Sequence, residues 1–97
     1  MSQWIYVMQP LRVDFMATMT SEEHAALDDH RAWLRRLDSA EALLLAGPCL
    51  GAVNTGIVVF EAVDDQAAQA VVAEEPLSRG GYMRGELRRY RVDFIRR

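Results

Sequence analysis

Residues 57–60 read Ile-Val-Val-Phe, and a second apolar run, Trp-Ile-Tyr-Val-Met, fills residues 4–8. Both runs are rich in β-branched and aromatic side chains, which predicts that each of them is a strand. Successive side chains of a strand point to opposite faces of its sheet. A strand that is apolar at every position must be shielded on both faces, so the fold has to supply two covers for its sheet.

A helix is predicted to begin after Thr20, because Thr20 and Glu23 can form a capping box in which each side chain satisfies the other's backbone N–H. One face of this helix then carries residues at helical spacing. These residues are Ala26, Leu27, His30, Trp33, Leu34 and Leu37. A brief apolar run at residues 42–46, ended by Gly47-Pro48, is interpreted as a second strand.

The second half of the chain predicts a loop, a strand and another helix. Residues 49–55 have loop composition, and Gly56–Ala62 is the strongest strand pattern in the chain. Asp64 and Asp65 are both suitable N-caps for a helix from residue 66 to about residue 74. Pro76 is expected to end that helix, because the residue before a proline is pushed out of the helical region.

The final strand is predicted from the alternation of Tyr90, Val92 and Phe94 with polar residues. Leu87 is out of phase with that set, so a bulge near residues 88–89 is expected. The chain, residues 1–97, therefore predicts one α+β domain of order β-α-β-β-α-β with both helices on one sheet face.

The open face of this sheet predicts a homodimer. Two helices cover one face only, whereas the strands at residues 4–8 and 57–60 are apolar on both. A second copy of the chain is the simplest cover for the remaining face.

The composition argues against nucleic acid and membranes as partners. The net charge is −3, and Arg88, Arg89 and Arg91 stand beside acidic residues rather than in a basic stripe. No apolar stretch approaches the ~20 residues that cross a bilayer, and the amino terminus lacks the pattern of a signal peptide. Cys49 is the only cysteine, so we expect no internal disulfide and a cytoplasmic, reducing location.

No metal or cofactor is expected either. Two histidines and one cysteine lack the paired spacing of a zinc site, and the glycines lack the spacing of a phosphate-binding loop. Cys49 has no adjacent base to activate it as a nucleophile. His24 lies in the first turn of the helix and is interpreted as a surface residue.

His30 is the most informative candidate site residue, because it falls within the apolar stripe of the first helix. A buried imidazole must be hydrogen-bonded, since leaving it unpaired costs about 1–3 kcal/mol. It is either a structural histidine bound to a carbonyl or a titratable group that lines a cleft.

Glu74 and Glu75 are the second anomaly, because two carboxylates at a helix carboxyl end oppose the helix dipole. One interpretation is a solvated acidic turn. The other is that one carboxylate orients an imidazole, as in acid–base pairs.

At these residues the sequence resembles the YCII-related (YciI-like) family over nearly the whole chain. The segments that carry the resemblance are residues 15–23, His30 with Trp33-Leu34 and Leu37, residues 45–48, residues 56–62, Glu75-Pro76, Gly80 or Gly81, and residues 86–94. The resemblance implies a ferredoxin-like fold with an antiparallel sheet that dimerises as an α+β barrel. It also implies an active site in which a helix histidine pairs with the aspartate of an Asp-Pro step.

His30 matches the family's histidine, and Glu75 stands where the family usually has aspartate. One branch of the family eliminates chloride from a chlorinated hydroxyquinol. Our leading hypothesis is a small enzyme of the cofactor-independent lyase or isomerase type that acts on a compact cyclic or phenolic substrate. His30 would be its general acid/base and Glu75 the carboxylate that orients it.

Two alternatives remain open at this point. The chain is a non-catalytic dimeric module that binds a small ligand or partner in the same cleft, or the cleft is vestigial. The enzyme hypothesis requires His30 to face a cavity between helix and sheet. It also requires Glu75 to lie within about 2.6–3.2 Å of an imidazole nitrogen, or to reach it through one water.

Overall fold

The structure is a computed structural model that describes residues 1–51 and 53–96. In chain order its elements are strand β1 (Ser2–Pro10), helix α1 (Ser21–Ser39), strands β2 (Leu43–Pro48) and β3 (Gly56–Ala62), helices α2 (Asp65–Ala73) and α3 (Pro76–Arg79), and strand β4 (Met83–Tyr90). A short 3-10 helix, Phe15–Ala17, lies between β1 and α1. None of the helices in the described residues has both the length and the apolar character that crossing a bilayer requires.

The four strands form one antiparallel sheet in the order β2-β3-β1-β4. This arrangement confirms the predicted α+β fold of ferredoxin-like type. The two runs that are apolar on both faces are the central strands β1 and β3. Each of them has a hydrogen-bonded neighbour along both edges, whereas its two faces need cover from other elements.

The helices pack against one face of the sheet and enclose the core there. Its buried members are Trp4, Tyr6, Met8, Phe15, Ala26, Trp33, Val58, Phe60, Ala62, Ala68, Leu77 and Met83. Because side chains alternate along a strand, the intervening residues of β1 and β3 face away from the helices. This alternation separates a helix-covered face, where the candidate site lies, from an open face.

The last strand differs from its predicted position. It ends at Tyr90, and its pairing with β1 runs from Tyr90 to Met83 without a register shift, so the expected bulge near residues 88–89 is wrong. Tyr90 pairs with Gln3, one residue after β1 begins. β4 therefore ends beside the first residues of β1. Phe94, which was predicted to belong to this strand, lies beyond it and is 97% exposed.

The second predicted helix ends before Pro76 as expected, because Glu75, the residue before the proline, has an extended backbone (φ −68°, ψ 120°). Helix α2 ends at Ala73, and Pro76 occupies the first turn of the new helix α3. Proline suits this position because the N–H groups of the first turn have no acceptor within the helix, so the absence of an N–H in proline breaks no hydrogen bond. Glu75 is the N-cap of α3, and this places its side chain against the start of that helix.

Candidate functional site

The start of α1 is fixed by the capping box that the sequence predicts. Thr20 Oγ1 accepts from the Glu23 N–H at 3.2 Å, and a Glu23 carboxylate oxygen accepts from the Thr20 N–H at 2.8 Å. Arg12 donates to both oxygens of Glu23 at 2.8 Å, and mainly this interaction lowers the pKa of Glu23 to about 2. These bonds fix the register of α1 and with it the direction in which His30 points.

Trp33 holds the middle of α1 against α2 and supports the imidazole. Its indole Nε1–H donates to the Val71 carbonyl at 3.2 Å. Its ring stacks on the His30 ring, with 5.7 Å between centroids and 30° between planes. The His30 side chain is only 14% exposed, so neighbouring residues, Trp33 among them, cover most of its ring.

Glu75 is fully buried, whereas Glu74 is exposed to solvent. The solvated-turn interpretation is therefore correct for Glu74 and wrong for Glu75. Oε1 of Glu75 accepts from the Ser78 N–H at 2.7 Å and from the Ser78 hydroxyl at 2.8 Å. Oε2 accepts from the Leu77 N–H at 2.9 Å and lies 2.7 Å from His30 Nδ1.

The hydrogen bonds determine the charge of Glu75. Burial on its own raises the pKa of this carboxyl, but the hydrogen bonds from His30, Leu77 and Ser78 outweigh burial and lower the pKa overall. Glu75 is consequently ionised at neutral pH. An ionised carboxylate can only accept hydrogen bonds, so His30 Nδ1 carries a hydrogen, and in the neutral imidazole the lone pair is on Nε2.

His30 borders a cavity of about 180 Å³ between α1, α3 and the sheet. The apolar part of its lining comes from both helices and from the sheet and includes Met8, Leu27, Leu34, Val58, Leu77 and Met83. The polar side chains in the lining are His30, Arg31 and Asn54. The structure thus brings His30 and Glu75 together at the wall of an apolar space, in an arrangement that can transfer a proton.

Two further polar residues of the site were missed by the sequence analysis. The Tyr6 hydroxyl donates to the Ser78 hydroxyl oxygen at 2.8 Å, and Ser78 in turn contacts Glu75. The available signal was Tyr6 itself, because a phenol on the buried face of a strand needs a hydrogen-bond partner. Its partner could not be identified, since 72 residues separate the two positions.

The weaker candidates are absent from the lining of this cavity. His24 and Cys49 are both exposed. Arg88 and Arg91 form ion pairs with Glu86 and Asp93, respectively. Within residues 1–51 and 53–96, no three His, Cys, Asp or Glu side chains are grouped as metal ligands would be.

Comparisons with known proteins identify a family and a solved structure of similar fold. The family model of the YCII-related domain matches residues 8–91. The fold is similar to that of 5-chloro-2-hydroxyhydroquinone dehydrochlorinase from Burkholderia phenoliruptrix AC1100, solved in complex with 2,5-dihydroxybenzoquinone. That likeness has a TM-score of 0.72 at 15% identity and covers 92% of this chain and 93% of the other, so it shows a common fold. No functionally curated protein matches the chain significantly.

Proposed function

The chain belongs to the YCII-related family, and we propose that it is a small enzyme that transfers protons to and from a compact cyclic or phenolic molecule. The observation that carries the proposal is the 2.7 Å contact between His30 Nδ1 and the buried carboxylate of Glu75, at the wall of an apolar cavity. A histidine that is oriented by a carboxylate is the usual arrangement of a general acid/base.

In this proposal His30 and Glu75 act as a dyad. The Nε2 lone pair removes a proton from the substrate, and the ionised Glu75 stabilises the imidazolium that forms. Glu75 keeps its own charge throughout, because its remaining hydrogen bonds favour the carboxylate. His30 then returns the proton to the product or to water.

The size and lining of the cavity indicate the substrate class. A dry apolar cavity of about 150 Å³ accommodates one benzene molecule, so about 180 Å³ suits one ring with small substituents. Arg31 and Asn54 would bind oxygen atoms at the edge of such a ring. Loss of HCl from a chlorinated hydroxyhydroquinone fits this chemistry. His30 first carries a hydroxyl proton to the carbon that bears chlorine, which gives the keto tautomer of the ring. It then removes a second hydroxyl proton as chloride leaves with the C–Cl electron pair, and the ring becomes a quinone without an external oxidant or a cofactor.

The similarity to a dehydrochlorinase with a bound dihydroxybenzoquinone supports this substrate class. A second function, a small-ligand-binding module without catalysis, is favoured by one observation. Glu75 caps α3 through the Leu77 and Ser78 N–H groups, so its burial also has a purely structural use.

Binding and turnover distinguish the two functions. We expect 2,5-dihydroxybenzoquinone to quench tryptophan fluorescence on binding, because the His30 ring that lines the cavity stacks on Trp33. We also expect the protein to release chloride from 5-chloro-2-hydroxyhydroquinone or from a close analogue, measured with a chloride electrode. Binding without chloride release from a panel of chlorinated hydroxyphenols would support the module, and absence of both would overturn the proposed substrate class.

We further propose that the protein is a homodimer, an α+β barrel formed through the open faces of two sheets. Leu45, Val59 and Ile5 pair across three adjacent strands and form an apolar row on that face. On β4, Arg88 continues this row opposite Ile5, and Glu86 lies beside it opposite Val7 with the opposite charge, so two copies can pair without net repulsion.

The open-face substitution Leu45→Glu tests the dimer. Leu45 is 49% exposed in the single chain, so the substitution should leave the protomer folded. We expect the parent protein to sediment at about twice the 11.0 kDa of one chain, and Leu45→Glu to weaken association about tenfold or more. The control is Leu50→Glu, at an exposed loop position outside the row. A parent that stays at the mass of one chain at micromolar concentration contradicts the dimer.

A further inference from the structure

The two oxygens of Glu75 have different sets of partners. Oε2 accepts hydrogen bonds from the Leu77 N–H and from His30. Oε1 accepts only from Ser78, through its backbone N–H and its hydroxyl. Ser78 also receives the Tyr6 hydroxyl. The side chains of Tyr6, Ser78, Glu75 and His30 thus form one continuous hydrogen-bonded chain.

The direction of each bond in this chain follows from the donors available. The Ser78 hydroxyl has one proton, and its short contact is the 2.8 Å bond to Glu75 Oε1, compared with 3.4 Å to the Glu75 carbonyl. That proton therefore goes to the carboxylate, and the Ser78 oxygen accepts from Tyr6. Hydrogen bonds aligned in this way polarise one another, so Tyr6 makes Ser78 a better donor to Glu75.

Gly85 makes room for the phenol that begins the chain. It lies on β4, and a Cβ at this position would be 1.9 Å from the Tyr6 hydroxyl oxygen and 2.1 Å from the ring carbon that bears it. Gly85 is outside the set of glycines with positive φ, so the constraint is steric and not conformational. A glycine inside a strand often marks such a close approach.

From these contacts we propose that Tyr6 and Ser78 are positioning residues of the dyad, and that Gly85 is required because it leaves space for Tyr6. This inference rests on the proposed function. Oε2 of Glu75 orients His30. The contacts of Tyr6 with Ser78 and of Ser78 with Oε1, here called the arm, hold the carboxylate in place and supply a donor that favours its ionised form.

The arm is tested by NMR on protein with ¹³C-labelled glutamate and ¹⁵N-labelled histidine. Ser78→Ala should raise the pKa of the Glu75 carboxyl, because a donor to its ionised form is lost. Ser78→Thr should restore it, since threonine retains the hydroxyl. Tyr6→Phe should give a smaller shift in the same direction, and Gly85→Ala should reproduce the effect of Tyr6→Phe by displacing the phenol. Tyr90→Phe is the matched control, because Tyr90 is an exposed phenol at the end of β4.

The ring nitrogens of His30 separate failure of the arm from failure of the dyad. Glu75→Gln should change their ¹⁵N shifts, because Nδ1 loses the acceptor that fixes its hydrogen. If Glu75→Gln leaves these shifts unchanged, the dyad and the proposed function fail together. If Glu75→Gln changes them, but the Glu75 carboxyl titrates identically in the parent, Ser78→Ala and Tyr6→Phe, only the arm is overturned. Tyr6→Phe conserves core volume, so it remains informative if Gly85→Ala fails to fold.

Discussion

Replacement of His30 by glutamine is expected to reduce turnover of a chlorinated hydroxyhydroquinone by about 10²–10⁴-fold, the usual contribution of a positioned general acid/base. Glutamine has an amide in place of the imidazole and cannot accept and return a proton near neutral pH. The loss should fall mainly on kcat, because apolar side chains supply most of the lining of the cavity. Binding of 2,5-dihydroxybenzoquinone should therefore change by no more than a few fold.

His24→Gln is the matched control for this experiment. His24 lies on the same helix, is exposed, and is absent from the lining of the cavity. Its replacement should leave kcat and the dissociation constant unchanged. If His30→Gln retains turnover within about tenfold of the parent, another group transfers the proton, and the proposed role of His30 is wrong.

The core strands and α1 could be predicted from the sequence, because their signals are local. A short run of β-branched and aromatic residues predicts a strand, and this identified β1 and β3. The start of α1 was equally clear, since Thr20 and Glu23 carry complementary side chains three residues apart. In both cases the chemistry that determines the structure lies within a few residues.

The end of β4 could not be predicted in this way. The alternation that includes Val92 and Phe94 is a valid local strand pattern, but a strand also needs a partner. The pairing of β4 with β1 stops at Tyr90 opposite Gln3, and only Ser2 of β1 lies beyond that pair, so Val92 and Phe94 have no partner residues in β1. A pattern within one segment carries no information about where its neighbour in the sheet begins.

The candidate site likewise combines a residue with a local sequence signal and residues whose roles depend on distant parts of the chain. The position of His30 in an apolar stripe identified it as unusual. For Glu75 the local sequence left a solvated acid and an orienting carboxylate open, and only the family resemblance distinguished this residue from Glu74. Its burial results from the turn between α2 and α3, which brings it to a residue 45 positions earlier in the chain. The roles of Tyr6 and Ser78 likewise depend on long-range packing that no spacing rule encodes.

The second large effect is expected on stability, from Glu75→Gln. Leu77 N–H and Ser78 N–H donate to different oxygens of Glu75. Whichever oxygen becomes an NH₂ group, one backbone N–H loses its acceptor, and the charge-assisted bonds are lost as well. We expect the free energy of unfolding at pH 7 to fall by about 2–4 kcal/mol, which lowers Tm by roughly 10–20 °C for a chain of this size.

The pH dependence of this loss identifies its cause. The pKa of Glu75 is lowered in the folded protein from an ordinary value of 4.5. Its charge therefore contributes fully to stability above that ordinary value, and the contribution is lost as pH falls through the folded pKa. The difference between parent and Glu75→Gln should shrink as the pH is lowered from 7 towards 3, measured by urea denaturation at one fixed protein concentration.

Glu74→Gln is the control for the change in net charge. It removes the same charge one residue away, but Glu74 is exposed and lies at the unfavourable end of the α2 dipole. Its replacement should be neutral, or stabilising by up to about 1 kcal/mol. A stability loss in Glu75→Gln that stays constant between pH 7 and pH 3 would mean that packing, and not the ionised carboxylate, stabilises this turn. Equal effects of the two substitutions would mean that Glu75 behaves as a surface acid, and both its structural and its proposed catalytic roles would then be wrong.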